Sequence, residues 1–233
     1  MVHSPTAGST EAVAELVIGF IFSLARGISR QSSLTRVEQA ERFVGTQVWG
    51  KTIGIVGLGR IGKAVAKRAF GLGMKICAFD KCPDAEFSRK YRINYVNLKT
   101  LLSQSDFVTL NLNLSEETSQ IIGQEELFLM KPTAYLINAG RGELLDQTAL
   151  YQALREKHIA GAGLDVINEG SHQEKIIGLD NVICTPHLGN RTCEGIHEVI
   201  NLAVSQVISV LKGKQPEFTL NPEVYNTKLR GGS

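Results

Sequence analysis

A glycine-rich segment has the residue types and spacing that bind a phosphorylated coenzyme. Gly57, Gly59 and Gly62 form a GxGxxG pattern between a short apolar run, KTIGIV, and an amphipathic segment, RIGKAVAKRAF, so the pattern joins a predicted strand to a predicted helix. The first glycine permits the tight turn, the second lets a pyrophosphate approach the backbone, and the third lets the helix pack on the strand. Since helix N-termini bind phosphate oxygens, the segment predicts a dinucleotide site.

Asp80 supports this prediction and bears on the choice of coenzyme. It ends the apolar run ICAFD, about 20 residues after the turn, where an acidic residue completes the dinucleotide pattern. A carboxylate there accepts hydrogen bonds from the ribose hydroxyls and repels a 2′-phosphate, which favours NAD over NADP. The neighbouring Lys81 weakens that preference. The alternative interpretation of Asp80 is a turn residue at the end of a strand.

Two further side chains suit chemistry on a small acid. Arg141 follows the predicted strand AYLINA, and a guanidinium binds a carboxylate through two parallel N–H bonds. His187 follows the predicted strand NVICTP, and a neutral imidazole exchanges a proton with an alcohol or a carbonyl. The alternatives are a surface arginine in a glycine turn and a histidine with a structural role.

Carboxylates close in sequence to His187 are candidates to orient its ring. A carboxylate beside an imidazole raises its pKa and stabilises the imidazolium. Asp165 ends the predicted strand IAGAGLDV, and Glu169 lies in the loop after it. Glu174, in the same loop, competes with Glu169 for this role.

The elements that would position these residues alternate between strand and helix along the chain. Residues 11–30 predict a helix that is apolar nearly all round, residues 31–50 predict a loop, and residues 192–213 predict a long amphipathic helix. Alternating strands and helices predict an α/β fold, a Rossmann-type doubly wound parallel sheet with helices on both faces.

Composition excludes several classes of protein. The 233 residues are 43% hydrophobic and 21% charged, which is typical of a globular protein. A net charge of +2 with both signs interspersed predicts neither a nucleic-acid partner nor a membrane surface. The four cysteines form no CxxC pair, so we expect no metal and a reducing, cytoplasmic location. The longest apolar stretch, residues 17–25, is far shorter than a membrane span.

Taken together, the motifs resemble the D-isomer-specific 2-hydroxyacid dehydrogenase family. The matching stretches appear in order along almost the whole chain, as AVAE, GKTIGIVGLGRIG, SEET, MKPTAYLINAGRGELLD, AGAGLDV and TPHLGN. The resemblance implies NAD(H), a small 2-hydroxy or 2-oxo acid substrate, and a homodimer of coenzyme domains with the first helix in its interface.

The resemblance also implies roles for residues at the matching positions. Arg141 would bind the substrate carboxylate, His187 would be the acid/base, and Asp165 would contact the nicotinamide carboxamide. The family's supporting glutamate precedes a proline, whereas Glu169 stands one residue early and no proline follows it. The implied coenzyme-binding set is Gly57, Gly59, Arg60, Ile61, Gly62, Asp80, Asn111, Ala139, Gly140, Arg141, Asp165 and His187. Asn111 and Asn113 replace the family's usual histidine and proline.

The domain organisation follows from the same resemblance. Residues 1–190 would form the NAD-binding domain with an N-terminal crossover helix, and residues 191–233 a helix and tail that complete a substrate domain. The family builds most of that domain from preceding chain, so we expect poor activity from this chain by itself. The leading hypothesis is an NAD-dependent oxidoreductase, and the main alternative is a non-catalytic NAD(H)-binding dimerisation or corepressor-like module. A short-chain reductase is disfavoured because its tyrosine–lysine pair is absent.

Overall fold

The computed structural model describes residues 10–30, 43–170 and 172–219. These residues contain seven strands, β1 (Thr52–Val56), β2 (Lys75–Phe79), β3 (Ile93–Tyr95), β4 (Phe107–Leu110), β5 (Tyr135–Asn138), β6 (Gly161–Leu164) and β7 (Val182–Cys184). All pair in parallel in one sheet, in the order β3-β2-β1-β4-β5-β6-β7. The strand order changes direction between β1 and β4, and ligands bind at the carboxyl ends of strands beside such a point.

Among the described residues, one helix lies in each connection between successive strands, and two more lie before β1 and after β7. They are α1 (Thr10–Arg26), α2 (Arg60–Gly71), α3 (Ala85–Tyr91), α4 (Leu98–Gln104), α5 (Gln124–Leu129), α6 (Gln147–Arg155), α7 (Gln173–Ile177) and α8 (Cys193–Leu211), with one 3₁₀ turn at Gly142–Leu144. The predicted doubly wound α/β sheet is confirmed.

The core consists of two apolar clusters, one on each face of the sheet. Ile53 and Ile55 of β1 join the cluster that α1 and α2 cover. Val56 belongs to the other cluster, together with buried leucines of α4 and α6. Alternate residues of a strand point to opposite faces, so one short strand anchors both layers of helices.

Helix α1 is covered by this chain. Its buried side chains include Val17, Phe20 and Ile21, which pack in the same cluster as α2. The apolar character of α1 therefore does not by itself require a second subunit. The helix is shorter than the predicted span of residues 11–30, because Gly27 adopts a left-handed conformation with φ +60 and interrupts it.

The structure also contains elements that the sequence patterns did not predict. Helix α3 and the edge strand β3 follow Asp80, and the short helices α5 and α7 lie in segments that were assigned no element. Strand β4 ends at Leu110, and the apolar and polar residues after it form a loop. The predicted loop over residues 31–50 lies partly outside the described residues, and residues 43–50 contain neither helix nor strand.

The chain divides into two compact units. One is Val13–Gly189, and the other includes residues 10–12 and 190–219 of the described chain. No helix within the described residues is long and apolar enough to cross a membrane. The predicted domains of 1–190 and 191–233 stay a prediction.

Candidate active site

The glycine-rich turn requires glycine at two of its positions. Gly57 has φ +92 and donates its N–H to the carbonyl of Phe79 at 2.8 Å. A Cβ at Gly57 would lie 2.9 Å from the Asn111 backbone, and a Cβ at Gly62 would lie 2.1 Å from the Gly57 oxygen. The backbone after β4 at Gly57, and the turn itself at Gly62, therefore come so close that only a hydrogen atom fits at these positions.

Gly59 leaves open space at the start of α2. It is the N-cap of α2, it has no side chain to cap the helix, and a Cβ there would meet nothing within 4 Å. The open space and the first-turn N–H groups of Arg60 and Ile61 suit the pyrophosphate of a dinucleotide, which the helix dipole also attracts. The residues present fit this part of the coenzyme.

Asp80 lies directly after β2 and joins the turn to the end of that strand. Its Oδ2 accepts the N–H of Leu58 at 2.6 Å, and its Oδ1 accepts the N–H of Cys82 at 2.8 Å. Each carboxylate oxygen accepts more than one hydrogen bond, so both retain capacity for ribose hydroxyls. Asn111 lies beside the turn, where its own N–H donates to the Val56 carbonyl at 2.8 Å.

Arg141 is an exposed residue in a loop that a buried amide holds. Asn138, the last residue of β5, is fully buried. Its Nδ2 donates to the carbonyl of Arg141 at 2.8 Å, and its Oδ1 accepts the N–H of Gly140 at 3.0 Å. Ala139 and Gly140 thus form a short turn that presents the guanidinium beyond the strand end. Sequence reasoning missed Asn138, whose signal was its place directly before the AGRG turn.

His187 is held by Asp165, the residue that follows β6. Asp165 is 1% exposed, and its carboxylate accepts the Thr185 hydroxyl at 2.6 Å, the Leu188 N–H at 2.6 Å and the Gly189 N–H at 2.8 Å. Three donors from one short loop converge on this side chain. Asp165 therefore fixes the loop that carries His187, and sequence reasoning had missed Thr185 and Gly189 as its partners.

The backbone of His187 is strained at this point. Its φ is +55, a left-handed value that costs a residue with a side chain on the order of 1–3 kcal/mol. Its N–H donates to the carbonyls of Asp165 and Thr185, each at 3.0 Å. The imidazole lies at the exposed surface of this loop. The contact between Asp165 and the nicotinamide carboxamide stays a prediction.

The carboxylate partner of His187 is the least defined part of the site. Glu169 is exposed, and no hydrogen bond or ion pair joins it to His187 in the part of the chain that the structure describes. Its loop lies against the Arg141 turn, since a Cβ at Gly142 would lie 2.2 Å from the Asn168 Oδ1. Glu174 is also exposed, in the first turn of α7.

The candidate residues all lie at the carboxyl ends of the strands. The glycine turn follows β1, Asp80 follows β2, Arg141 follows β5, and His187 follows β7. The described residues hold no group of three or more His, Cys, Asp or Glu side chains that could bind a metal. The fold and these strand ends define a dinucleotide-binding Rossmann domain with an arginine and a histidine beyond its coenzyme turn.

Comparisons with known proteins agree with this class. Residues 18–189 match the family described as D-isomer specific 2-hydroxyacid dehydrogenase, NAD binding domain. A glyoxylate reductase of Thermococcus litoralis is 40% identical over 225 residues, which cover 92% of this chain and 68% of the relative. The D-lactate dehydrogenase of Lactobacillus jensenii, solved with NAD+, has a TM-score of 0.86 and 29% identity, covering 94% of this chain and 71% of that chain.

A second solved relative carries the other coenzyme. An acyclic imino acid reductase, solved with NADPH and D-Arg, has a TM-score of 0.83 and 32% identity, covering 91% of this chain and 68% of that chain.

The chain belongs to the D-isomer-specific 2-hydroxyacid dehydrogenase family. The predicted class, an NAD-dependent oxidoreductase, is thereby confirmed.

Proposed function

We propose that the chain catalyses hydride transfer between NAD(H) and C2 of a small D-2-hydroxy or 2-oxo acid. The coenzyme donates or accepts the hydride at C4 of its nicotinamide. Arg141 binds the substrate carboxylate through its two parallel N–H groups. His187 takes the hydroxyl proton when the acid is oxidised and returns it to the C2 oxygen when the oxo acid is reduced. The relatives named glyoxylate reductase and D-lactate dehydrogenase support this substrate class.

The proposal rests on the loops of Arg141 and His187, each of which is held by hydrogen bonds to a buried side chain. Buried Asn138 holds the turn of Arg141 at the end of β5, and buried Asp165 holds the loop of His187 after β7. Only β6 separates these two strands in the sheet. The loops of the proposed carboxylate-binding arginine and the proposed proton-transferring histidine thus have fixed positions at the same end of the sheet, and fixed positions favour reaction between bound groups.

Oxidation of NADH by the full chain, followed at 340 nm, tests the proposal. Glyoxylate, hydroxypyruvate, pyruvate and phosphohydroxypyruvate are offered at saturating coenzyme. We expect measurable turnover of at least one acid, lost in His187→Gln while NADH still binds. His197→Gln, on the exposed surface of α8, is the matched control and should keep the wild-type rate.

The same assay separates the alternatives. NADH binding without turnover of any of the four acids would indicate the non-catalytic coenzyme-binding module. Turnover that survives His187→Gln would contradict the proposed acid/base. For the supporting carboxylate we propose Glu169, and Glu169→Gln should lower kcat and move the pH profile, whereas Glu174→Gln should do neither.

We propose that the protein is a homodimer, which the family resemblance supports. Apolar side chains are exposed on α8, such as Ile200 and Val204, and a dimer interface could bury them. Light scattering behind a sizing column measures the mass of the protein in solution and so tests the dimer.

We also propose a cytoplasmic location, because all four cysteines are free thiols.

A further inference from the structure

Glu117, in the loop after β4, forms an ion pair with Lys81 in the loop after β2. The ammonium donates a hydrogen bond to the Glu117 carboxylate, although 36 positions separate the two residues. Strand β1 lies between β2 and β4 in the sheet. The pair therefore joins the two loops that flank the glycine-rich turn.

The position of Lys81 makes this pair important for the choice of coenzyme. Lys81 directly follows Asp80, the carboxylate that ends β2 beside the turn. A free ammonium at this place would attract a phosphate on the 2′-oxygen of the ribose, against the repulsion that Asp80 exerts. The two neighbouring side chains thus favour opposite coenzymes, and the outcome depends on whether the ammonium is engaged elsewhere.

Glu117 engages it. The hydrogen bond from Lys81 lowers the pKa of the Glu117 carboxyl below its ordinary value, so the carboxylate is charged at neutral pH. The ion pair offsets the charge of Lys81 and directs its ammonium towards the β4 loop. Lys81 then opposes the repulsion from Asp80 less strongly.

We propose that Glu117 is a specificity-determining residue, which keeps the site selective for NAD(H) by withholding the Lys81 ammonium from a 2′-phosphate. The inference rests on the coenzyme site of the proposed function and adds to it a residue outside the glycine turn and Asp80. It predicts that removing one exposed carboxylate shifts the coenzyme preference towards NADP(H).

The fold should tolerate that removal. The side chains of Lys81 and Glu117 are 67% and 72% exposed, and ion pairs that are so exposed contribute little to stability. The effect on a 2′-phosphate is larger, because one unit charge at about 4 Å in a water-like medium is worth about 1 kcal/mol. That energy corresponds to about a fivefold change in affinity.

Fluorescence titration of NADH and NADPH at low salt tests the proposal without requiring turnover. Wild-type protein should bind NADH more tightly than NADPH. Glu117→Gln should tighten NADPH about fivefold and change NADH less than twofold. Added salt should reduce the gain, since it screens exposed charges.

Two further variants test whether the gain in NADPH affinity comes from release of the Lys81 ammonium. Glu116→Gln removes the same charge from the adjacent exposed position, and Glu116 forms no ion pair in the described part of the chain, so the ratio of affinities should stay at the wild-type value. In a Lys81→Met background, Glu117→Gln should no longer tighten NADPH, because there is no ammonium to release.

The outcomes separate this inference from the proposed function. An unchanged ratio in Glu117→Gln, an equal gain in Glu116→Gln, or a gain that persists with Lys81→Met would each overturn the role of Glu117. Equal binding of both coenzymes by the wild type would overturn it as well. Failure of the wild type to bind either coenzyme would instead refute the coenzyme site of the proposed function.

Discussion

Asp165→Asn should damage the site by loosening the loop that carries His187. The substitution keeps the size of the side chain and exchanges one acceptor oxygen for an amide donor. The remaining oxygen can still accept from Thr185 and Leu188, but the new NH₂ group then faces the N–H of Gly189. Two donors meet at a buried position, and neither has an acceptor.

The expected cost can be worked out from these contacts. Leaving a buried N–H unpaired costs about 1–3 kcal/mol. The two hydrogen bonds that remain lose the charge that made them about twice as strong. We therefore expect the free energy of unfolding to fall by about 3 kcal/mol, which lowers Tm by about 10 °C in a chain of this size.

Activity should fall further than stability suggests. His187 keeps its left-handed backbone only while its loop is held, and a displacement of about 1 Å at a reacting group costs about 10²-fold in rate. We expect kcat to fall about 10²-fold in Asp165→Asn, measured where the variant is still fully folded. Urea unfolding followed by circular dichroism gives the stability of the same samples.

Thr185→Val is the matched control for this prediction. It removes one hydroxyl donor and leaves both backbone N–H bonds to Asp165, so it should cost about 1 kcal/mol and keep most of the activity. The reasoning would be refuted if Asp165→Asn unfolded like the wild type, or if Thr185→Val cost as much as Asp165→Asn.

Two more predictions follow from the described contacts. Arg141→Lys keeps the charge but loses the paired N–H groups, so KM for the oxo acid should rise about tenfold while NADH still binds; an unchanged KM would contradict the carboxylate role. Burial raises the pKa of the Cys184 thiol to about 11. Since the thiolate is the nucleophile, iodoacetamide at pH 8 should label exposed Cys82 and Cys193 well before Cys184, whose labelling should rise as the pH approaches 11. Mass spectrometry measures this order, urea-unfolded chain is the control, and equal rates in folded protein would contradict it.

The sequence by itself determined the parts of this protein that depend on local pattern. The glycine turn and Asp80 lie within about 25 consecutive residues, and strands alternate with helices along most of the chain, so these patterns predict the parallel sheet and the coenzyme site at its carboxyl end. Arg141 and His187 could be selected in the same way, because each is the third residue after the end of a strand.

Short elements escaped prediction for a physical reason. Helices α3, α5 and α7 have five to seven residues, which is too few to show a clear helical period. Side chains define where some of them begin, as when Asp84 accepts the N–H of Phe87 at the start of α3. Such a cap is one polar residue among many, and its role becomes visible only when the helix beside it is seen.

Only the tertiary structure decided which distant residues support the site. Asp165 meets Thr185 and Gly189 because β6 and β7 are neighbours in the sheet, and Lys81 meets Glu117 because β2 and β4 flank β1. The order of strands is set by how the whole chain buries its two apolar layers, and no local pattern encodes it. The sequence thus predicted Arg141 and His187 as candidate site residues, while the fold shows which buried side chains hold their loops in place.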